Sequence, residues 1–304
     1  MKAIIYGANG QDGYYLSRLL EKEKIEFLSI SRSGTGLIGD VGDYELVKKQ
    51  INKFQPDYIF HLAANSTTRH EALFENHQAI STGSINILEA VRLHCPNSKV
   101  FLSGSAMQFS NMGLPIDEQT PFDPSSPYSV SRIHSVYAAR YYRKKYGLSV
   151  FVGYLFNHDS PLRTEQHINQ KIVKTVIRIA AGSNEKLELG DIEVMKEFNF
   201  ASDIVEAIWV LVNQNYIFEV VIGCGVAHSI KEWADYCFNK INKKWHDYVI
   251  YKEGYISEYR LLVSNPKLIL GLGWKAKVDF YSLADIMIEA AKLKNVVHIN
   301  NTNL

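Results

Sequence analysis

The feature that most constrains the fold of this chain is an apolar strand that leads through a glycine-rich turn into an amphipathic helix. The strand covers Lys2–Tyr6, and the turn covers residues 7–13. Leu16 and Leu20 lie one helical turn apart and give the helix a buried face. The apolar run 25–30 then predicts a second, parallel strand. This βαβ unit predicts a Rossmann-type α/β fold with a doubly wound parallel sheet.

Three glycines spaced three residues apart, Gly7, Gly10 and Gly13, occupy the turn. Glycine lets the backbone turn tightly and approach a pyrophosphate, whose charge is stabilised by N–H groups at the helix N-terminus. The alternative is an ordinary strand-to-helix turn. Because the turn opens a complete βαβ unit, we expect it to bind a dinucleotide cofactor, with Gln11 and Asp12 among the contacts.

The residues after the second strand indicate which cofactor binds. A carboxylate there would accept hydrogen bonds from the adenosine ribose, whereas a cation would pair with a ribose phosphate. The chain has Arg32 between two serines, which favours NADP over NAD. Asp40, followed by Val41, is placed either to contact the adenine or to cap a helix. Ala63 and Ala64 end the next strand and leave room for a ligand.

The composition allows a large core and excludes several classes of function. The chain has 304 residues, of which 46% are hydrophobic, and it carries 33 basic and 32 acidic side chains. A net charge of +1 provides no field for nucleic acid or a membrane surface. Cys95, Cys224 and Cys237 have no metal-binding spacing, so we expect no metal, no disulfide and a cytoplasmic location.

The glycine spacing GxxGxxG resembles that of the extended branch of the short-chain dehydrogenase/reductase superfamily. In that superfamily a tyrosine in a YxxxK motif exchanges a proton with the substrate, and the lysine lowers its pKa and holds the nicotinamide ribose. This chain has Tyr128 and Arg132, on one face of a helix. Arginine remains a cation, but its planar fork has a different reach. We expect both residues to be catalytic.

From Met1 to about Ile288 the chain resembles one family of that branch, the GDP-mannose 4,6-dehydratases. The matching runs are 10–16, 61–64, 120–122, 126–128, 155–161 and 270–274. The resemblance implies a GDP-linked sugar as substrate. It also implies that Asn157, Lys171, Lys196 and Arg260 contact the guanosine diphosphate, with Lys196 in place of the family's arginine.

The chain departs from this family in the catalytic stretch STSELYG. There Thr lies beside the C4 hydroxyl of the sugar and Glu removes the C5 proton. Alignment places Ser105 at the Thr and Met107 at the Glu. A serine can still hydrogen-bond the C4 oxygen, but a thioether cannot accept a proton, and the neighbouring Gln108 is not basic. Sugar-nucleotide 4-ketoreductases of the same branch also lack this glutamate.

Three hypotheses follow. The first is an NADP-dependent enzyme that transfers hydride at C4 of a GDP-linked sugar, as a 4-keto reductase or C4 dehydrogenase. The second is a GDP-mannose 4,6-dehydratase proper, with another base such as Glu118. The third is a degenerate NADP-binding sensor or assembly subunit, which Met107 and Arg132 both motivate.

The expected organisation is a cofactor domain and a smaller lobe. We expect residues 1–156, with a returning segment near 216–226, to form the NADP-binding domain, 157–292 the nucleotide-sugar lobe and 293–304 a polar tail. We expect a homodimer or homotetramer that binds no nucleic acid or membrane. Further element predictions are helices over 72–93, 168–181, 201–213 and 229–241 and a hairpin-like segment over 187–191.

Overall fold

Strands and helices alternate through the first half of the chain, as the apolar runs predict. The computed structural model describes residues 1–301. Its strands are β1 Lys2–Tyr6, β2 Glu26–Ser31, β3 Leu37–Ile38, β4 Tyr58–His61, β5 Lys99–Ser105, β6 Ser149–Leu155, β7 His158–Asp159, β8 Leu187–Leu189, β9 Met195–Glu197, β10 Asn199–Phe200, β11 Glu219–Ile222, β12 Ala227–Ser229, β13 Val249–Tyr251 and β14 Leu261–Leu262. Its α-helices are α1 Gln11–Lys22, α2 Tyr44–Phe54, α3 Leu73–Asn76, α4 Gly83–His94, α5 Pro127–Tyr146, α6 Ile168–Ala180, α7 Ala201–Val212, α8 Ile230–Asn239, α9 Lys267–Gly271 and α10 Phe280–Asn301.

Within the described residues, seven strands form a parallel sheet in the order β11-β6-β5-β4-β1-β2-β3. The chain builds outward from β1 to β3 and then returns to β4 on the other side of β1. The strand order therefore reverses between β1 and β4, which is where doubly wound sheets bind ligands. This topology confirms the predicted fold class. Strand β11, inside the segment 216–226, pairs with β6 at one edge.

Helices cover both faces of the sheet, and the strands are accordingly apolar on both faces. Helices α2, α4 and α5 pack on one face, and α1 and α7 pack on the other. Successive strand residues point to opposite faces, so Ile4 joins the first cluster and Ile5 the second, both fully buried. The sheet is therefore held rigidly, and its carboxyl edge is a fixed platform for a site.

The second lobe has its own hydrophobic core beneath α6, α8 and α10, centred on the fully buried Trp233. The predicted hairpin over 187–191 is wrong, because β8 pairs in parallel with β13, more than fifty residues away. Helix α10 continues to Asn301, so much of the predicted polar tail is helical backbone, while residues 302–304 lie outside the described residues.

The helix predicted over 72–93 is divided into three parts. Helix α3 is followed by a π-helical segment, His77–Thr82, and then by α4. Gly83 lies at the junction, where a Cβ atom would come within 2.8 Å of Val41 Cγ1. Helix α4 can therefore pack close to the residues that follow β3. In the described part of the chain, no helix is long and apolar enough to cross a membrane.

Candidate active site

A cavity of about 620 Å³ lies at the carboxyl ends of β1, β4, β5 and β6, between the sheet and the second lobe. This volume is within the range of small-molecule sites, and the position is the one at which open α/β sheets bind ligands. The wall brings together many of the residues singled out from the sequence: Gly7, Gly10, Gln11, Asp12, Gly13, Ala64, Ser105, Tyr128, Arg132, Asn157 and Lys196.

The glycine turn forms one wall of this cavity. Gly10 is the N-cap of α1 and provides no side-chain hydrogen bond, so the first-turn N–H groups have no side-chain cap. A Cβ atom on Gly13 would lie 2.5 Å from the carbonyl oxygen of Gly7, and Gly7 itself has φ +90°. The backbone is therefore bare and closely packed at the helix N-terminus, which fits a pyrophosphate.

A second cavity of about 240 Å³ adjoins the first on the far side of Gly10. The remaining residues expected to bind the cofactor line it: Arg32, Asp40, Val41, Ala63 and Ala64. Asp40 Oδ1 accepts a hydrogen bond from the Gly42 amide at 2.8 Å, while Asp43 is the residue that caps α2. Asp40 is thus a turn residue in the cavity wall, and its helix-capping alternative is wrong.

Ser105, the last residue of β5, and Met107, just after it, line the first cavity. Ser105 caps a short 3₁₀ helix, because its Oγ accepts the Met107 amide at 3.2 Å and its own amide donates to Gln108 Oε1 at 2.9 Å. Gln108 is fully buried, whereas the Met107 side chain packs against the edge of the sheet's core. The local fold therefore presents a hydroxyl and a thioether to the cavity.

Tyr128 and Arg132 occupy the first turns of α5, which Ser126 caps. Arg132 is buried, and its Nη1 donates to both the carbonyl oxygen and the Oγ of Ser103, the latter at 2.7 Å. Its guanidinium carbon lies 5.1 Å from the centre of the Tyr128 ring. The cation is therefore fixed against the tyrosine and against the end of β5.

His61, at the end of β4, is a second buried group beside Arg132. Burial and the positive charge of Arg132 lower the pKa of His61 to about 4, so the imidazole is neutral near pH 7. Ser103 links the two residues, since its Oγ donates to the carbonyl oxygen of His61 at 3.0 Å. His61 is therefore a packed strand residue.

Asp12 and His158 form an ion pair in the cavity wall, with His158 Nε2 3.0 Å from Asp12 Oδ1. Burial opposes both charges, but the contact with His158, aided by Arg163, lowers the pKa of Asp12 to about 2. The contact with Asp12 likewise outweighs burial and raises the pKa of His158. His158 Nδ1 lies 2.7 Å from the carbonyl oxygen of Phe156, so both ring nitrogens face acceptors, as an imidazolium requires.

The far end of the cavity is polar. Lys196 is buried there, 5.2 Å above the Phe198 ring, and burial lowers its pKa. Asp159 accepts a hydrogen bond from Asn169 Nδ2 at 2.6 Å. The Oδ1 atoms of Asn157 and Asn169 are buried and lack a hydrogen-bond partner among the described residues. Cations and unpaired amide oxygens in one wall can hold a diphosphate and its sugar.

Comparison with known proteins identifies the family. The family model described as GDP-mannose 4,6 dehydratase matches residues 4–287. The chain belongs to the GDP-mannose 4,6-dehydratase family. A similar relative is GDP-mannose 4,6 dehydratase 1 of Arabidopsis thaliana, with 30% identity over 94% of this chain and 88% of the relative. The GDP-mannose 4,6-dehydratase of Sinorhizobium fredii (strain HH103) is 28% identical, over 78% of this chain and 76% of its own length.

Solved structures of related fold cover almost the whole chain. A dTDP-glucose 4,6-dehydratase from Bacillus anthracis, in complex with NAD, has a TM-score of 0.86 at 19% identity and covers 97% of this chain and 98% of its own. RMD from Pseudomonas aeruginosa, complexed with NADPH, has a TM-score of 0.83 at 18% identity. The match covers 96% of this chain and 99% of RMD. At these identities the similarity confirms the Rossmann-type fold.

Relative to the GDP-mannose 4,6-dehydratase family, two cavity residues stand out. Met107, which the resemblance aligns with the family's glutamate, and Arg132, which it aligns with the lysine of YxxxK, both line the cavity. Glu118, the other base that the sequence suggests, lies outside the cavity wall and accepts a hydrogen bond from the Val221 amide at 2.7 Å. Burial raises the pKa of Glu118, but its carboxylate is hydrogen-bonded to β11 at the edge of the sheet and does not face the cavity wall.

Two of the residues that the family suggests for the diphosphate lie outside the cavity wall. Lys171 Nζ donates to the carbonyl oxygen of Glu188 at 2.7 Å. Arg260 is exposed, and its Nη1 lies 3.6 Å from Asp191 Oδ2. Neither residue lines either cavity, and their roles remain predictions.

The structure also places residues in the wall that sequence reasoning did not assign to the site. Arg163 and His167 follow the matching run 155–161, so a search for cations just beyond that run could have found them. Leu262 comes from a strand a hundred residues further on, and no sequence signal points to it.

Proposed function

We propose that this protein is an NADP-dependent enzyme that transfers hydride at C4 of a GDP-linked sugar, acting as a 4-keto reductase or C4 dehydrogenase. The observation that carries the proposal is the composition of one wall: Ser105 and Tyr128 are present, but Met107 stands where the family has its carboxylate. The family relatives, named as GDP-mannose enzymes, support the substrate class.

The residues present fit a nicotinamide cofactor, which two of the similar structures contain. The glycine turn would hold its pyrophosphate, and Arg32 would pair with a ribose phosphate, which favours NADP. When bound, this cofactor supplies or accepts the hydride at C4. Ser105 and Tyr128 line the same cavity as the glycine turn, which supports this proposal.

The chain's own groups act on the C4 oxygen. In the reductive direction Tyr128 donates its phenolic proton to this oxygen while Ser105 hydrogen-bonds it. Arg132, 5.1 Å from the ring centre, stabilises the tyrosinate that remains. Lys196 and Arg163, at the polar end, would hold the diphosphate and so fix the sugar ring.

Elimination of water across C5 and C6 requires a base, for which the family uses a carboxylate, and the wall offers no carboxylate that is free. Among the described residues of the wall, the carboxylates are Asp12 and Asp159. Asp12 is paired with His158, which lowers the pKa of Asp12 to about 2, while Asp159 accepts a hydrogen bond from Asn169. A weakly basic, already paired carboxylate does not abstract a carbon-bound proton efficiently.

The second candidate is a GDP-mannose 4,6-dehydratase proper, which the family model and the relatives favour. One contact offers it a base at a position other than 107: Thr68, in the cavity wall, donates a hydrogen bond to the carboxylate of Glu258 from the second lobe. Glu258→Gln would then abolish dehydration. A sensor or assembly subunit without turnover would be inactive in every assay below.

The proposal is tested by supplying NADPH and a GDP-linked 4-keto-6-deoxy sugar. We expect oxidation of NADPH and, with deuterated NADPH, one deuterium at C4 of the product, detected by NMR. Tyr128→Phe is the matched inactive control. Binding of both ligands without transfer of deuterium in either direction would contradict the proposal and support the non-catalytic alternative.

A further inference from the structure

Asn9 lies in the turn between Gly7 and Gly10, before α1 begins, and its side chain contacts the loop after β2. Its Nδ2 donates to the carbonyl oxygens of Ser33 at 2.5 Å and Thr35 at 3.0 Å. Its Oδ1 accepts a hydrogen bond from the hydroxyl of Thr35 at 3.2 Å, and its backbone N–H donates to Ser31 Oγ at 3.1 Å. One residue thus holds the loop at several points.

The loop has little else to hold it. Among the described residues, the hydrogen bonds of segment 32–35 all go to Asn9. Gly34 has φ +93°, and a Cβ atom there would lie 2.5 Å from Asn9 Nδ2. The loop is therefore shaped to receive this carboxamide, and only glycine permits the contact.

Arg32 is the cation that this loop carries. It is exposed, has no ion pair or hydrogen bond in the described part of the chain, and lines the cavity of about 240 Å³ together with Asn9, Ser33 and Asp40. An unrestrained arginine on a mobile loop must be ordered when it binds a phosphate, and that ordering weakens binding. A loop already tied to the glycine turn avoids much of this loss.

We propose that Asn9 is a positioning residue that sets the cofactor preference: its carboxamide fixes segment 31–35 so that the Arg32 guanidinium faces the 2′-phosphate of the adenosine ribose. The inference rests on the proposed preference for NADP and adds the residue that makes Arg32 effective. Asn9 acts through Arg32, and the ligand group concerned is the phosphate that NAD lacks.

A double-mutant cycle tests this. NADPH and NADH are titrated against the purified full-length protein and against Asn9→Ala, Arg32→Ala and the double variant. We expect Asn9→Ala to weaken NADPH binding about tenfold, a fraction of the effect of Arg32→Ala, and to leave NADH binding unchanged. In the Arg32→Ala background, Asn9→Ala should cause no further loss.

Two further variants sharpen the cycle. Gly34→Ala disturbs the same contact from the loop side and should produce the same selective loss of NADPH. Asn239→Ala removes an exposed asparagine that bonds only Asp235 on α8, far from both cavities, and should change neither affinity. If Asn9→Ala is poorly folded, Gly34→Ala carries the test alone.

The outcomes separate the inference from the proposed function. Equal binding of NADPH and NADH by the unchanged protein, with no effect of Arg32→Ala, contradicts the NADP preference itself. A clear NADPH preference that depends on Arg32 but survives Asn9→Ala contradicts only the role of Asn9. Equal weakening of NADPH and NADH binding, or additive losses in the cycle, also contradicts the role of Asn9, because Asn9 would then act on the turn as a whole.

Discussion

At the residue scale, the site is defined by two side chains that differ from the family and by the partners that hold them. Arg132 is fixed by Ser103 and lies against the Tyr128 ring, which gives the tyrosine a nearby cation despite the loss of the lysine. Met107 presents a thioether to the cavity. On the proposed function, these residues keep the groups that act on the C4 oxygen and lack the family's base for C5.

Tyr128→Phe tests the first half of this statement. The substitution keeps the ring beside Arg132 but removes the proton, so kcat for hydride transfer should fall at least about a hundredfold, as is typical of general acid–base catalysis. NADPH affinity should be unchanged. Tyr137→Phe, exposed on the same helix, is the control. Retention of most of the activity by Tyr128→Phe would show that another group supplies the proton.

The position of the guanidinium can be checked through His61. Burial and the charge of Arg132 together hold the pKa of His61 at about 4. Arg132→Gln removes the charge and leaves the burial, so the pKa of His61 should rise but stay below that of an exposed histidine. NMR titration of the imidazole measures this. An unchanged pKa would mean that the cation does not lie near the end of β4.

The sequence predicted the catalytic end of the site better than its polar end. Ser105, Tyr128 and Arg132 follow a strand end or begin a helix, where a local motif fixes their place, and the cavity wall contains all three. Lys171 was aligned with the family, yet its side chain turns to a neighbouring carbonyl group. The direction of a long, flexible side chain depends on tertiary contacts that spacing does not encode.

At the scale of elements, the N-terminus of α1 is tied to the second lobe. Asp12, in the first turn of α1, pairs with His158 of β7, and Gln11 Oε1 accepts the hydroxyl of Ser160 at 2.7 Å. Both contacts join the cofactor turn to the segment that lines the substrate cavity. The cofactor and substrate walls are therefore held in one arrangement.

The pH dependence of stability should reveal this pair. Contact with Asp12 raises the pKa of His158, so its stabilisation is present below about pH 6.5 and is lost as pH rises through the raised value. The pKa of Asp12 is lowered to about 2, so its contribution is present above about pH 4 and is lost as pH falls towards 2. The full effect therefore lies between about pH 4 and 6.5.

Asp12→Asn should lower the free energy of unfolding in that window by on the order of 2 kcal/mol, and by less at higher pH. Urea denaturation across the pH range measures the difference. Asp43→Asn, at the start of α2, is the control, because asparagine also caps a helix. A difference between Asp12→Asn and the unchanged protein that does not depend on pH would contradict the ion pair.

At the scale of the whole molecule, the sheet could be predicted and the second lobe only in part. Apolar strands that alternate with helices determine a parallel sheet, because each crossover places the next strand beside its neighbours. The small sheets of the second lobe are built from strands of two or three residues, such as β8 and β13, whose partners are distant in sequence. Such short strands carry no periodicity that a pattern could detect.

Met107→Glu tests whether the missing carboxylate is what separates this chain from dehydration. Glutamate at this position restores a base beside Ser105, so the variant given GDP-mannose and NADP should incorporate solvent deuterium at C5. NMR of the recovered sugar nucleotide measures the label. Met107→Gln, which has the same shape without a basic group, is the matched control. A label in both variants, or in neither, would contradict the role assigned to position 107.

The most direct test of the account uses the unchanged protein with GDP-mannose and NADP in deuterium oxide, followed by mass spectrometry of the sugar nucleotide. Because both carboxylates of the described cavity wall are already paired and position 107 carries a thioether, we predict no loss of water and no deuterium at C5, although the same preparation transfers hydride at C4 of a suitable sugar nucleotide. Accumulation of a 4-keto-6-deoxy product with deuterium at C5 would contradict the account and identify the protein as a dehydratase.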